Sequence, residues 1–305
     1  QVITLALAGD PDAKLFVRIE LRDSVPSWFT ARYPDECVRF DAGAIRGNPS
    51  LASLQWREAA GNGIRKLVEH IRQAPYADKV VGYFIYEGEE GQWMHYWGSD
   101  NPKTPNTLSD YSKPMQAYFR NWLKRKYKSD DALQQAWNNP AVTLTAAPIP
   151  SREERLAAEG VFRDPAKVRN VLDYAEAHSD VVCDGIEYYG KLFKEATANT
   201  TVVGALYGHI IDLGGTWMGE NVGYFKQHQA VATPYIDLYG GPLNYFDIFR
   251  DVGGTSSFDF PPPASLRLHN KLWLNEDDTR THLTDPPGYA YSMHEIGRAS
   301  CRERV

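Results

Sequence analysis

Short apolar runs alternate with long helical patterns along this chain. The run Lys14–Leu21 predicts a strand, Ser50–Gln73 carries apolar residues at helical spacing, and Lys79–Ile85 predicts another strand. This succession favours a parallel sheet with crossover helices, so the predicted class is α/β. Both a (β/α)8 TIM barrel and a doubly wound sheet satisfy it. No glycine-rich phosphate loop follows the first strand, which favours the barrel.

The same alternation continues to the last third of the chain. Apolar residues recur every three to four positions in three further blocks, which we expect to be helices: Met115–Tyr127, Ser129–Trp137 and Asp164–Glu195. Three further β-rich runs predict strands: Thr201–Tyr207, Ala230–Tyr239 and Leu268–Leu274. No internal repeat or low-complexity linker divides the chain, so we expect a single barrel rather than several domains.

Composition excludes several classes of function. The net charge of −6 argues against nucleic acid as a partner, and no apolar run approaches the ~20 residues of a membrane span. Cys37 and Cys183 have no metal-ligand spacing and predict buried free thiols. His95 and His282 lie near acidic clusters but also lack metal spacing, so we expect no metal and no cofactor. Cytoplasmic and secreted locations both stay open, as does the oligomeric state.

Both ends of the sequence are unusual. Glu295–Val305 resembles the translation of a common short-read sequencing adapter, which is typical of a metagenomic fragment. Gln1 is not an initiator residue. We therefore expect residues 1–294 to form a barrel truncated at both ends, and residues 295–305 to be a non-native tail.

Acidic residues follow two of the predicted strands directly. Leu272–Leu274 ends at Glu276, Asp277 and Asp278, and the strand Lys79–Ile85 runs into a loop that contains several acids. The carboxyl ends of parallel strands meet at one edge of the sheet, so acids from these two segments are expected to converge there. The acids and their neighbours in the second loop are Glu87, Glu89, Glu90, Gln92 and Trp93.

Three segments carry a resemblance to a known group of enzymes. Ser265–Leu283, Tyr118–Asn139 and Val80–Gly98 resemble the seventh-strand region, a helix pair and the fourth-strand region of clan A glycoside hydrolases close to the family 42 β-galactosidases. The resemblance extends from about Lys14 to His294. It implies a TIM barrel that cleaves a β-linked sugar, such as a β-galactoside, by a retaining mechanism with two carboxyl groups. The implied partner is a carbohydrate substrate.

The resemblance together with the clustering of acids after the strand suggests roles for these residues. Glu276 is expected to be the nucleophile, and Glu90 is the first choice for the general acid, ahead of Glu87, with Glu89 a further alternative. Gln92 departs from the family pattern, in which Gly-Glu-Trp is expected, and an amide cannot transfer a proton. Gln92 is then a candidate for hydrogen bonding to a sugar hydroxyl.

Other residues are candidates for substrate binding. Arg18 could hold the nucleophile ionised or form an ordinary ion pair at the edge of the core. Tyr235, Asp237 and Tyr239 alternate along a predicted strand, so they could line the barrel mouth or be structural. Asp277 could contact the sugar. Three tryptophans are candidates for stacking on a sugar ring: Trp93, Trp97 and Trp217.

Two other functional classes stay open. Gln92 motivates a catalytically silent barrel that binds glycans without efficient hydrolysis. A fragment with no function of its own is the third hypothesis, and its exposed sheet edges would make the isolated chain aggregate.

Overall fold

The computed structural model describes residues 2–22, 25–96, 107–157, 163–208, 222–242 and 262–276. The strands are β1 Leu15–Glu20, β2 Cys37–Arg39, β3 Ile45–Pro49, β4 Val80–Tyr86, β5 Val202–Leu206, β6 Leu238–Pro242 and β7 Leu272–Glu276. The helices are α1 Val2–Gly9, α2 Ser27–Arg32, α3 Leu54–Arg72, α4 Lys113–Tyr127, α5 Asp130–Trp137, α6 Arg152–Leu156, α7 Pro165–Ala196, α8 Gln227–Ala232 and α9 Pro263–Leu268. Short 3-10 turns lie at Pro34–Glu36 and Ala77–Lys79.

Five parallel strands form the main sheet, in the order β1-β4-β5-β6-β7. This order follows the chain without reversal. A doubly wound sheet reverses its strand order at a switch point, whereas a β/α barrel does not. The sheet is therefore of the barrel type. Strands β2 and β3 form a separate antiparallel pair in the connection between β1 and α3.

One face of this sheet packs against helices and forms the main core. Ile85, Ala205, Tyr239 and Trp273 occupy one row across four strands. The first three are buried in a cluster with residues of α3 and α7. We call this side the helix face. Helix α3 begins where Ser53 accepts a hydrogen bond from the backbone N–H of Trp56 at 3.0 Å, a standard N-cap.

The opposite side, which we call the barrel face, contains Phe84 at its centre. The Phe84 ring lies 5.9 Å from the ring of Phe16 on β1. A Cβ on Gly204 would lie 2.6 Å from this ring, and one on Gly240 would lie 3.0 Å from it. Glycine at these two positions leaves the room that the Phe84 side chain fills, which explains why β5 and β6 carry glycine inside a sheet.

The predicted helices and strands are largely confirmed, and Ser129 and Asp164 cap α5 and α7. The strand predicted at Ala230–Tyr239 is wrong in its first part. Residues 227–232 form α8, and β6 begins only at Leu238. Pro234 explains the difference, because it has no N–H to give to a sheet ladder.

A second correction concerns the last predicted strand. Pro263 starts α9, which ends at Leu268, and β7 begins at Leu272. Proline is favoured in the first turn of a helix, where its missing N–H has no partner to lose.

The cysteine prediction is confirmed, because Cys37 and Cys183 are both buried free thiols. Among the helices that the structure describes, none combines the length and apolarity required to cross a bilayer.

Candidate active site

The segment that follows β4 folds into a compact loop over residues 87–94. Gly88 and Gly91 both have φ +73°, in the left-handed region that glycine tolerates without strain. The N–H of Trp93 donates to the carbonyl of Glu87 at 2.7 Å, and the N–H of Glu89 donates to that of Met94 at 2.8 Å. These bonds close the loop into a turn, and its three acids lie in different surroundings.

Glu87 is buried at the end of β4, with 2% of its surface exposed. Its Oε2 accepts from the indole Nε1 of Trp56 on α3 at 3.4 Å, so the carboxyl lies on the helix face. Burial raises the pKa of Glu87 to about 8, while Trp56 and Arg57 act in the opposite direction. Its Oε1 has no hydrogen-bond partner among the described residues. The carboxyl thus keeps its proton near neutral pH, but it lies away from the barrel face.

Glu89 is held by an arginine clamp. Arg46 of β3 donates to it through both terminal nitrogens, at 2.6 and 3.2 Å. The Nε of Arg46 donates to Asn48 Oδ1 at 2.9 Å, and its guanidinium lies 4.8 Å from the centre of the Tyr96 ring. This bidentate pair ties the loop to the β2–β3 hairpin.

Glu90 is the one loop acid that is exposed, and it lies at the tip with φ +54°. Glu87 and Glu90 therefore differ in their surroundings. Glu87 retains a proton near neutral pH, whereas Glu90 can be reached from solvent.

Gln92 and Trp93 differ in their surroundings. Gln92 is half-buried, its carbonyl accepts from the Tyr224 hydroxyl at 2.5 Å, and its side-chain Oε1 has no partner among the described residues. Trp93 is 1% exposed and donates from its indole to the carbonyl of Ile85 at 3.1 Å. Trp93 cannot stack on a sugar in this arrangement, because its ring is packed inside the helix-face core.

Tyr239 is also a core residue rather than a residue of the mouth. It shares the helix-face row with Ala205, is fully buried, and its hydroxyl donates to the carbonyl of Ala230. Asp237 accepts from the backbone N–H of Val203 at 2.8 Å and pairs with Lys194. The burial of Tyr239 favours the structural interpretation for this residue, because register directs its side chain towards the helices.

Arg18 lies on the barrel face, two residues before the end of β1. Its Nη2 donates to Glu20 Oε2 at 2.9 Å, and its guanidinium stacks 3.8 Å from the centre of the Tyr86 ring. Its expected contact with Glu276 stays a prediction. The contact between Arg18 and Glu20 was not predicted, although alternation along β1 places these two residues on one face.

Glu276 is the last residue of β7, and its backbone pairs with Pro242 of β6. Its side chain, together with Asp277, His282, Trp97 and Trp217, lies outside the described residues. Strands β4 and β7 are separated by two others, so their backbones are on the order of 14 Å apart along the sheet, at about 4.8 Å per step. Curvature of a barrel is what would bring carboxyl groups at their ends face to face.

His95 is fully buried against His178 and is unavailable to a ligand. Within the described ranges, no group of three or more His, Cys, Asp or Glu residues is arranged to hold a metal ion.

The chain is similar in sequence and fold to known proteins. The sequence model of the glycoside hydrolase family 42, described as β-galactosidase, matches residues 22–202, more than half of the chain. The chain belongs to glycoside hydrolase family 42. A curated relative, the β-galactosidase BbgII of Bifidobacterium bifidum, is 27% identical over 168 residues, covering 52% of this chain and 21% of that protein.

Solved structures support the barrel fold of this family 42 chain. The β-galactosidase of the psychrophilic Marinomonas ef1 aligns with a TM-score of 0.58 at 15% identity, over 99% of this chain and 51% of that one. The catalytic domain of a β-amylase from Paenibacillus polymyxa aligns with a TM-score of 0.69 at 14% identity, over 92% and 74%. The family 42 chain therefore spans about a fifth of the curated relative and about half of the Marinomonas enzyme.

Proposed function

We propose that this protein hydrolyses β-galactosides with retention of configuration. The observation that carries the proposal is its membership of a family described as β-galactosidase, supported by a curated β-galactosidase relative. The positions of the acids agree with it. Glu87 to Glu90 follow β4 and Glu276 ends β7, both at the carboxyl edge of one parallel sheet, where barrel enzymes carry their catalytic groups.

In this proposal Glu276 attacks the anomeric carbon and forms a covalent galactosyl–enzyme intermediate. An acid of the 87–94 loop protonates the leaving oxygen and then activates water for the second step. We assign that acid to Glu90, because Glu87 is enclosed on the helix face and Glu89 is held by Arg46. Glu87 then has a structural role beneath the loop.

The nucleophile is tested with Glu276→Ala and 4-nitrophenyl β-galactoside. We expect almost complete loss of turnover, and partial recovery with azide as a galactosyl azide of inverted anomeric configuration. Asp35→Asn, which changes an exposed carboxyl, is the matched control and should retain activity. Normal turnover of Glu276→Ala would overturn the assignment.

The acid is tested with Glu90→Gln and Glu87→Gln on two leaving groups. Loss of a general acid lowers turnover about 10²- to 10⁴-fold for a disaccharide, but much less for an aryl galactoside whose leaving oxygen needs no proton. We expect this difference in Glu90→Gln only. Its appearance in Glu87→Gln instead would reverse the assignment between the two residues.

A second candidate function is a barrel that binds galactosides and no longer hydrolyses them. Gln92 favours it, because an amide stands where the family pattern has an acid and its Oε1 lacks a partner among the described residues. Gln92→Glu decides between the two. A large gain in hydrolysis on this substitution would support a parent chain that has lost catalysis. An active parent chain whose turnover does not rise on this substitution leaves Glu90 as the acid.

A further inference from the structure

The barrel face of β1 changes from apolar to charged along its length. Phe16 packs edge-on to Phe84, Arg18 stacks on Tyr86, and Glu20 ends the strand. The charged end is the carboxyl end, where β/α barrels bind their substrates. β1 is also the direct neighbour of β4, and Glu20 pairs with Tyr86, the residue before Glu87.

Stability does not explain why charges occupy this position. The side chain of Arg18 is 58% exposed, and an ion pair this accessible contributes about 0 to 1 kcal/mol to folding. An apolar pair such as Phe16 and Phe84 would cover the face of the sheet more effectively. The charges are therefore better explained by something that they bind.

The hydrogen-bonding capacity of the pair suits a sugar. Glu20 Oε2 accepts from Arg18 at 2.9 Å and Oε1 accepts from the N–H of Arg22 at 3.4 Å. Each carboxylate oxygen has a second lone pair, and the guanidinium of Arg18 has further N–H groups. A carboxylate that only accepts, beside a guanidinium that only donates, can hold two neighbouring hydroxyls of one ring. Stacking on Tyr86 fixes the plane of the guanidinium.

We propose that Arg18 and Glu20 form a subsite that binds two adjacent hydroxyl groups of the galactosyl unit. This inference rests on the proposed function, because it names how the same mouth recognises its sugar. It places the sugar over β1 and β4, beside the 87–94 loop.

The probe is isopropyl 1-thio-β-galactoside, which binds without being hydrolysed, measured by calorimetry on the whole chain. Glu20→Gln keeps the shape of the side chain but removes its charge, and Arg18→Met keeps the aliphatic stem. We expect each to weaken binding roughly 10- to 100-fold, as for loss of a hydrogen bond to a charged group. Asp35→Asn is the charge-matched control and should bind as the parent does, and circular dichroism checks that all variants fold.

Deoxygalactosides lacking one hydroxyl each sharpen the test. The parent should bind the two analogues that lack the contacted hydroxyls more weakly, and the Glu20→Gln variant should lose part of that preference. Unchanged binding in both variants overturns the subsite, and so does a parent chain that binds no galactoside. Binding that depends on Glu20, in a chain without hydrolysis, would retain the subsite and reject the proposed activity. Hydrolysis by the parent chain, together with an unchanged KM in Glu20→Gln, would retain the proposed activity and reject the subsite.

Discussion

The imidazole rings of His95 and His178 stack in the core, with their centres 3.3 Å apart and their planes 13° from parallel. His95 lies beyond the 87–94 loop, and His178 lies on α7. Nε2 of His95 is 2.7 Å from the carbonyl of His178. Two rings in such contact cannot both be charged, so protonation of the pair opposes this contact between α7 and the segment that follows the loop.

Acid should therefore destabilise the protein through this pair. Burial lowers the pKa of His95 from 6.5 to about 3 and lowers that of His178. The unfolded chain binds these protons first, so the stability is complete above pH 6.5 and falls as the pH drops towards 3. Urea midpoints measured across this range should decline in the parent. The decline should be shallower in His178→Phe, and an equal slope in both would contradict the prediction.

Glu87 should produce a dependence of the opposite sign. Its pKa rises from 4.5 to about 8 on folding, so the folded state holds the proton that the unfolded state releases. The stabilisation is complete below pH 4.5 and is lost as the pH rises through 8, by up to about 5 kcal/mol.

Glu87→Gln removes this titration, because an amide has the shape of the protonated acid. The variant should be no less stable than the parent at pH 5 and clearly more stable at pH 9 in urea unfolding. Glu90→Gln, an exposed acid three residues away, is the control and should follow the parent. A Glu87→Gln variant that is less stable at pH 9 would show that the charged form is the folded one.

Gly82→Ala should destabilise the sheet. A Cβ at this position would lie 2.1 Å from the Phe16 ring and 2.7 Å from the carbonyl oxygen of Val202, so the backbone itself must move. We expect a loss of about 1–3 kcal/mol in the free energy of unfolding. Gly63→Ala on α3 is the control, because a Cβ at Gly63 would have no heavy atom within 4 Å. It should raise the free energy of unfolding by about 0.5–1 kcal/mol.

The Arg46–Glu89 clamp should control the mobility of the 87–94 loop. Glu89→Gln should lower stability by about 1–3 kcal/mol, because it leaves a partly buried guanidinium without its charged partner. Amide hydrogen exchange in the loop should accelerate roughly tenfold. The pair of Lys113 and Asp35 has the same 2.6 Å length but is exposed, so Asp35→Asn should change stability by less than about 1 kcal/mol. Equal losses in both variants would show that burial of the clamp is unimportant.

The periodicity of the sequence determined which segments are helices and strands. These patterns depend on neighbours within a few residues, so the sequence alone shows them. They are the apolar spacing over α3, α4 and α7 and the β-rich runs of β1, β4 and β5. The alternation of these elements also determined the parallel sheet, and the acids that follow β4 and β7 indicated its functional edge. Short elements such as α8 and α9 were missed, because proline and packing set them more than periodicity does.

Tertiary structure alone determined the burial and the contacts of each candidate side chain. Glu87, Glu89 and Glu90 are nearly equivalent as letters, yet one is enclosed by Trp56, one is clamped by Arg46 and one is exposed. Tyr239 and Trp93 belong to the core because of the face that their backbone positions present. Burial, pKa and reach depend on atoms brought together from distant parts of the chain, and no local pattern of residues encodes that proximity.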